Sequence, residues 1–225
     1  MEPFLSQEQI RRYIEQGYLL VSGLMSDEVA AHAEAAMWRN LGMERDEPST
    51  WADPGEYAPD DDPAMLALYT PKFLTVAAQL GEGVPDLSTY GAPRRLRPLN
   101  TYPQDGEWAP HGPHLDHAIK DHGHKTFRFA FRVATMTYVN DVESHGGATV
   151  VWPGSHKKVE ALAYSDPLRY ATMWELNGEL AKADIGDPVE IVAKRGDVLF
   201  YHVFTVHSGS RNTGSTPRFA FNMKW

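Results

Sequence analysis

Residues 111–117 read HGPHLDH, three histidines and an aspartate in seven positions, with His122 and His124 close behind. Imidazole nitrogens and carboxylate oxygens are the donors that hold divalent transition metals, so the stretch reads first as a source of metal ligands. One ion cannot use them all. In an extended chain residues two apart point to one face, so His114 and Asp116 can grip an ion together while His117 turns away. A histidine and an aspartate are two thirds of the facial triad that holds non-haem Fe(II) and leaves coordination positions open. The third ligand must be a distant histidine. The segment GDVLFYHVFTVHSGSRNTGSTPRFAFNMKW offers two, His202 and His207, and then Arg218 at the head of a last expected strand. A guanidinium fork binds both oxygens of a carboxylate. Iron ligands with an arginine at this spacing describe a site for 2-oxoglutarate, whose far carboxylate needs such an anchor.

The elements that must position these residues can be read along the chain. Ser6 and Gln9 form a capping box, Ile10, Tyr13 and Ile14 give an apolar helix face, and Gly17 ends it. Residues 18–21 follow as a short strand. Ser26-Asp27-Glu28 opens a second helix that Gly42 stops after Leu41, and Thr70-Pro71 opens a third, to about Leu80. Residues 43–64 are acidic, contain proline and lack a period, which predicts a loop. From residue 95 the pattern predicts strands over 97–102, 108–116, 126–139, 148–152, 189–193, 197–203 and 218–224. Alternation in 126–139 predicts Phe127, Phe129, Phe131 and Val133 on one face, with Arg128, Ala130, Arg132 and Ala134 on the other. Residues 161–185 read as helical or irregular. The expectation is one domain, mainly β, with residues 1–94 forming a mostly helical layer outside a sandwich or barrel built by 95–225.

Composition narrows the partners. The 225 residues suffice for one sizeable core. A formal charge of −9 argues against nucleic acid and anionic membrane as partners. With no cysteine, disulfides, thiolate metal sites and cysteine nucleophiles are excluded. The start, MEPFLSQEQIRRY, lacks a signal peptide's basic-then-apolar pattern, and no apolar run approaches a membrane span, so the expectation is a cytoplasmic protein. The sequence fixes no oligomeric state.

Four stretches carry a resemblance over most of the chain: LSQEQIRRYIEQGYLLVSGLMSDEV, HLD at 114–116, GGATVVWPGSHK at 146–157, and GDVLFYHVFTVHSGSRN with Arg218. Together they resemble the phytanoyl-CoA dioxygenase-like branch of the Fe(II)/2-oxoglutarate oxygenases. The resemblance implies a double-stranded β-helix, or jelly-roll, fold. It implies His114, Asp116 and His207 as the metal triad, Arg218 as the anchor for 2-oxoglutarate, and Asn100 as a polar contact to the same cosubstrate, with O2 as oxidant. Met136 stands where some relatives carry a tryptophan beside the cosubstrate. The carboxylate at 116 implies hydroxylation, desaturation or ring formation of a small molecule, such as an amino acid or secondary metabolite, over halogenation.

The other histidines read as structural. His111 is expected in a turn, with a place beside the metal ligands as the alternative, His122, His124 and His145 in loops, His156 in the PGSHK turn, and His202 in packing or hydrogen bonding. Arg94, Arg95 and Arg97 read as a solvated strand end. Residues 43–64 and 157–187 are expected to cover the barrel mouth and shape substrate choice. Two other readings stand beside the oxygenase: a non-catalytic jelly-roll that senses 2-oxoglutarate, and a cupin-like metal enzyme that does not use it.

Overall fold

The computed structural model describes residues 4–52, 61–82, 91–116, 123–127 and 131–225. His117, His122, Arg128 and part of the 43–64 segment lie outside these. The first helix, α1 (Gln7–Gln16), opens on a reciprocal cap: Gln9 N–H donates to the Ser6 hydroxyl, and Ser6 N–H donates to the Gln9 side chain. Each satisfied end group is worth about 1 kcal/mol. Gly17, at φ 80°, closes the helix and turns the chain straight into β1 (Tyr18–Val21). Ser26 caps α2 (Asp27–Leu41), and Gly42 ends it. After α3 (Pro63–Leu66), the Thr70 hydroxyl accepts from Phe73 N–H at the head of α4 (Pro71–Glu82). Helices α1, α2 and α4 follow the sequence expectation closely, while α3 was not expected.

The remaining strands are β2 (Val133–Tyr138), β3 (Val150–Val151), β4 (Val189–Glu190), β5 (Val198–His202), β6 (His207–Ser208) and β7 (Ala220–Lys224). They form two antiparallel sheets, one in the order β1-β5-β2-β7 and one in the order β4-β3-β6. Alternation divides the large sheet. Leu19, Val21, Val133, Val198, Phe200 and Phe221 pack into a core with Met37, Leu68, Phe73 and Val76 of the helical layer. Their neighbours Leu20, Ala134, Met136, Leu199 and Tyr201 face a second core that includes Val150 and Val151 of the small sheet. The helices therefore cover one face of the large sheet, and the space between the sheets is left for the second core. Each large apolar side chain so buried contributes roughly 1.5–3 kcal/mol.

Between β3 and β4 lie α5 (Ser155–Ser165), α6 (Met173–Gly178) and a 3-10 turn, Leu180–Ala183. This segment, expected only to cover the mouth, also contributes buried Val159, Ala163, Leu176 and Leu180 to the second core.

Two expectations are corrected. Residues 97–102 and 108–116 are not regular strands: they touch the sheets through the isolated bridges Pro98–Phe221, Thr101–Arg218, Pro110–Ser210 and His114–His207. Pro98, Pro103, Pro110 and Pro113 each lack the N–H a continuous ladder needs. Helix is accordingly more extensive than regular strand among the described residues, and the later half of the chain, which supplies every strand but β1, is mixed. The shared face of Phe131 and Val133 also fails. Phe131 joins the core between the sheets and Val133 the helix-side core, because β2 begins only at Val133.

Candidate metal centre and cosubstrate cavity

His114 and His207 meet through the backbone. His114 N–H donates to the His207 carbonyl at 3.0 Å and His207 N–H returns the bond at 3.1 Å. Their rings lie with centroids 4.7 Å apart. Asp116, two residues beyond His114, brings its carboxylate to the same place, with Oδ2 3.6 Å from His207 Nε2. One ligand atom from each of the three lies within 4.8 Å of the others.

The donor set fits a metal in its tautomers as well as its spacing. His114 Nδ1 lies 3.1 Å from the Gly112 carbonyl, and His207 Nδ1 lies 3.0 Å from the Thr205 carbonyl. A carbonyl oxygen can only accept, so both Nδ1 atoms carry a proton, and each ring in its neutral form presents its Nε2 lone pair. A second hydrogen bond of this kind fixes the ring of a metal-bound histidine. His207 is buried and His114 is exposed, so the triad has a closed side and an open one.

Asp116 is held firmly. Tyr201 OH donates to Oδ2 at 3.0 Å, and Asn222 Nδ2 in turn donates to the Tyr201 oxygen at 2.8 Å. The Lys224 ammonium lies 3.2 Å from Oδ1. Burial alone would raise the carboxyl's pKa, but His207 when its ring is protonated, Lys224 and Tyr201 together hold it well below the usual carboxylate range. It is a carboxylate at every pH at which the protein would work. The phenol of Tyr201 is pushed up by burial and by the Asp116 charge, so it remains a donor.

Asn177 fixes the middle of the HLD motif. Its Oδ1 accepts from Leu115 N–H at 2.6 Å, and its Nδ2 donates to the Leu115 carbonyl at 3.1 Å. A side chain on α6 thereby completes both backbone bonds of the residue between the two ligands. Nothing in the local sequence around Asn177 points to this role, because it arises from a contact across the fold. Tyr201, Asn222 and Lys224 were missed for the same reason, although their alternation along β5 and β7 placed them on the inner face.

Arg218 is 4% exposed and lies two residues before the last strand, in an isolated bridge with Thr101. It exchanges both backbone bonds with Thr101, and its Nε donates to the Thr101 hydroxyl at 3.4 Å. Gly147 secures this corner. At φ 74° it stands so close to Thr101 that a Cβ would meet the Thr101 hydroxyl at 2.2 Å. A cavity of about 290 Å³ joins Arg218 to His114, Asp116 and His207. Asn100 and Met136 line it too. Asn100 also spends its Oδ1 on Ala220 N–H at 3.3 Å, and its Nδ2 lies 3.8 Å from the Met37 sulfur.

The other expected residues separate. His111, expected in a turn, lines the same cavity, and its N–H bonds the Gly209 carbonyl. His156 sits in the first turn of α5 with Nε2 3.1 Å from the Ile14 carbonyl, a structural role. His202 faces the helix side of the sheet, its ring 5.5 Å from that of His156. His145 stacks on Trp108, and His124 lies edge-on to Trp174. Arg94, Arg95 and Arg97 are exposed.

The fold matches solved structures that share this architecture. The epimerase SnoN from nogalamycin biosynthesis, described as non-heme and alpha ketoglutarate dependent, is 21% identical with TM-score 0.63, covering 96% of this chain and 80% of that one. The carbocyclase SnoK of the same biosynthesis is 21% identical with TM-score 0.60, covering 97% and 83%. EctD from S. alaskensis, in its apoform, is 15% identical with TM-score 0.61, covering 97% and 75%. No curated protein matches the sequence. Among the described residues no helix is long and apolar enough to cross a membrane. The family model for phytanoyl-CoA dioxygenase (PhyH) matches residues 13–220, nearly the whole length over which the two sheets, the triad and Arg218 are assembled, and the chain belongs to that family of Fe(II)/2-oxoglutarate-dependent oxygenases.

Proposed function

We propose that this chain binds Fe(II) through His114, Asp116 and His207, binds 2-oxoglutarate against Arg218, and hydroxylates an unactivated C–H of a small molecule within a double-stranded β-helix. The observation that carries the reading is the single cavity joining a two-histidine, one-carboxylate donor set to a buried arginine. The bound Fe(II) and 2-oxoglutarate supply the oxidising chemistry: O2 is consumed, succinate and CO2 are released, and one oxygen atom enters the substrate.

The chain's own residues supply geometry. His114 and His207 present Nε2 lone pairs, held by the Gly112 and Thr205 carbonyls. Tyr201 holds Asp116, and Asn177 holds the backbone between the two ligands. Arg218, fixed to Thr101, meets the far carboxylate of the cosubstrate with a fork suited to both oxygens. Asn100 faces the same cavity as a polar contact. Water is excluded on the sheet side, where His207 and Arg218 are buried, and the exposed His114 edge admits the substrate.

An anaerobic titration tests the reading. Apo-protein is given Fe(II) and then 2-oxoglutarate while the visible charge-transfer band of a keto acid chelated to ferrous iron is followed. The band should saturate at one equivalent, vanish in His114→Ala and weaken in Arg218→Ala. A folded protein that takes up iron and shows no band would remove the oxygenase reading in favour of a metal-binding jelly-roll. Product analysis then separates hydroxylation from desaturation or ring closure, which start from the same C–H.

A further inference from the structure

Lys224 has no place in the chemistry above beyond its contact with Asp116, yet its position is costly. Its side chain is only 15% exposed, and its ammonium lies 3.2 Å from Asp116 Oδ1 and 5.6 Å from the centre of the Phe131 ring. In the register of the large sheet it stands opposite Ala134, which stands opposite Tyr201. The small side chain of Ala134 leaves room for the lysine to lie across the inner face toward Asp116. Counting back by two along the same strand gives Asn222, Ala220 and Arg218, all on that inner face. The strand and the extended residues before it thus carry two inward cations, with about 20 Å of backbone between them. The far carboxylate of 2-oxoglutarate, held by Arg218, is therefore not the partner of Lys224.

Charge decides what Lys224 is for. Without metal, Asp116 is its partner, and among the described residues no other carboxylate lies within ion-pair distance of it. With metal and cosubstrate bound, the two charges of Fe(II) and that of Arg218 are cancelled by Asp116 and the two carboxylates of 2-oxoglutarate. Asp116 is then shared with the metal, and Lys224 is left as the surplus positive charge in a largely buried place. A surplus charge in a largely buried place is unfavourable, so the site gains by accepting a further anion there. Resting on the oxygenase reading, we propose that Lys224 is the substrate-recognising residue of this site, and that the substrate is a small carboxylic acid whose carboxylate pairs with its ammonium. The apolar ring of Phe131 beside the ammonium suits the carbon skeleton of such an acid. The oxidised carbon then lies within a few bonds of the acid group.

The test compares wild type, Lys224→Met and Lys224→Arg by three readouts. The first is affinity for Co(II) without cosubstrate. Because the ammonium competes with the metal for Asp116, Lys224→Met should bind Co(II) severalfold more tightly. The second is the anaerobic Fe(II)–2-oxoglutarate band, which Lys224→Met should retain. The third is perturbation of that band by matched probes: phenylacetate against phenylacetamide, hexanoate against hexanamide, and N-acetylvaline against its amide. Wild type and Lys224→Arg should bind at least one acid tenfold or more tightly than its amide, and Lys224→Met should lose that preference. Equal response to acids and amides in wild type, a preference that survives Lys224→Met, or a tenfold fall in Co(II) affinity in that variant would each overturn the proposal. The last outcome would make Lys224 a positioning residue for Asp116. Absence of the band in wild type would overturn the oxygenase reading itself, and this inference with it, before any probe is added.

Discussion

His114 and His207 are direct cross-strand partners that exchange both backbone hydrogen bonds, so two expected metal ligands are joined by main chain before any metal arrives. The bridge spans the edge of the small sheet, where β6 is only two residues long. A metal bound there adds a second link to a short one, and so binds the folded state in preference to the unfolded. Thermal melts of apo-protein should rise with added Co(II) or anaerobic Fe(II), by about 2.7 kcal/mol at one hundred times the dissociation constant. His207→Ala should abolish the rise. A melt that is insensitive to metal in wild type would show that these residues do not form a metal site.

Asn177 should couple a helix outside the sheets to the metal. Asn177→Ala leaves the N–H and carbonyl of Leu115 without their present partners, at a cost of about 1–3 kcal/mol. Metal affinity should fall roughly 10- to 100-fold, the usual effect of losing an outer support. Faster exchange of the Leu115 amide, measured by NMR, would locate the damage at the motif. Unchanged metal affinity would assign Asn177 to stability alone.

Gly147→Ala should damage the cosubstrate end and spare the metal end. The new methyl meets the Thr101 hydroxyl, which accepts from Arg218 Nε, and the backbone is already at a positive φ. A strain of about 1–3 kcal/mol is expected. The dissociation constant for 2-oxoglutarate should rise about tenfold or more while Co(II) affinity stays close to wild type. Parallel losses in both affinities would mean that the strain spreads through the whole site.

His202 gives the apo-protein a pH-dependent stability. Burial first, and then the nearby His156 and Arg132, pull its pKa down to about 4. Its Nδ1 accepts from Phe204 N–H, which favours the neutral ring. The unfolded state titrates near 6.5, so it binds more protons than the folded state between these values. Stability is complete above about pH 6.5 and declines as pH falls toward 4, by up to about 3 kcal/mol. His156, also shifted downward by burial, adds in the same direction. Urea melts across this window should show the decline in wild type and a shallower one in His202→Gln. Identical slopes would remove His202 as the source.

What could be read from the sequence was local. Ser6 with Gln9, Gly17, Ser26, Gly42 and Thr70-Pro71 mark helix ends by chemistry that acts within four residues, and those ends are where the sequence places them. The H-x-D pair was legible because two-residue spacing in extended chain needs nothing from elsewhere. His202 and His207 could not be told apart by residue type, and the family resemblance chose between them. The supports were silent. Asn177, Tyr201 and Lys224 act only through partners brought up by strand pairing and helix docking, and no periodicity marks that. The break between Phe131 and Val133 was hidden too, since a continuous alternating pattern does not show where a strand begins.

The last strand and the extended residues leading into it hold Arg218, the proposed cosubstrate anchor, the Asn222 that supports Tyr201, and Lys224, all on alternate positions of one face. A single-residue deletion in the turn over 212–217 would let β7 slide by one place along β2. Phe221 and Met223 would then turn inward and the polar side chains of the inner face would turn into the helix-side core, so the slip would remove the site and unsettle the core together. Cosubstrate binding and the cation proposed to choose the substrate are therefore inherited as one unit, and divergence in this chain's lineage is easier through the elements around β7 than through β7 itself.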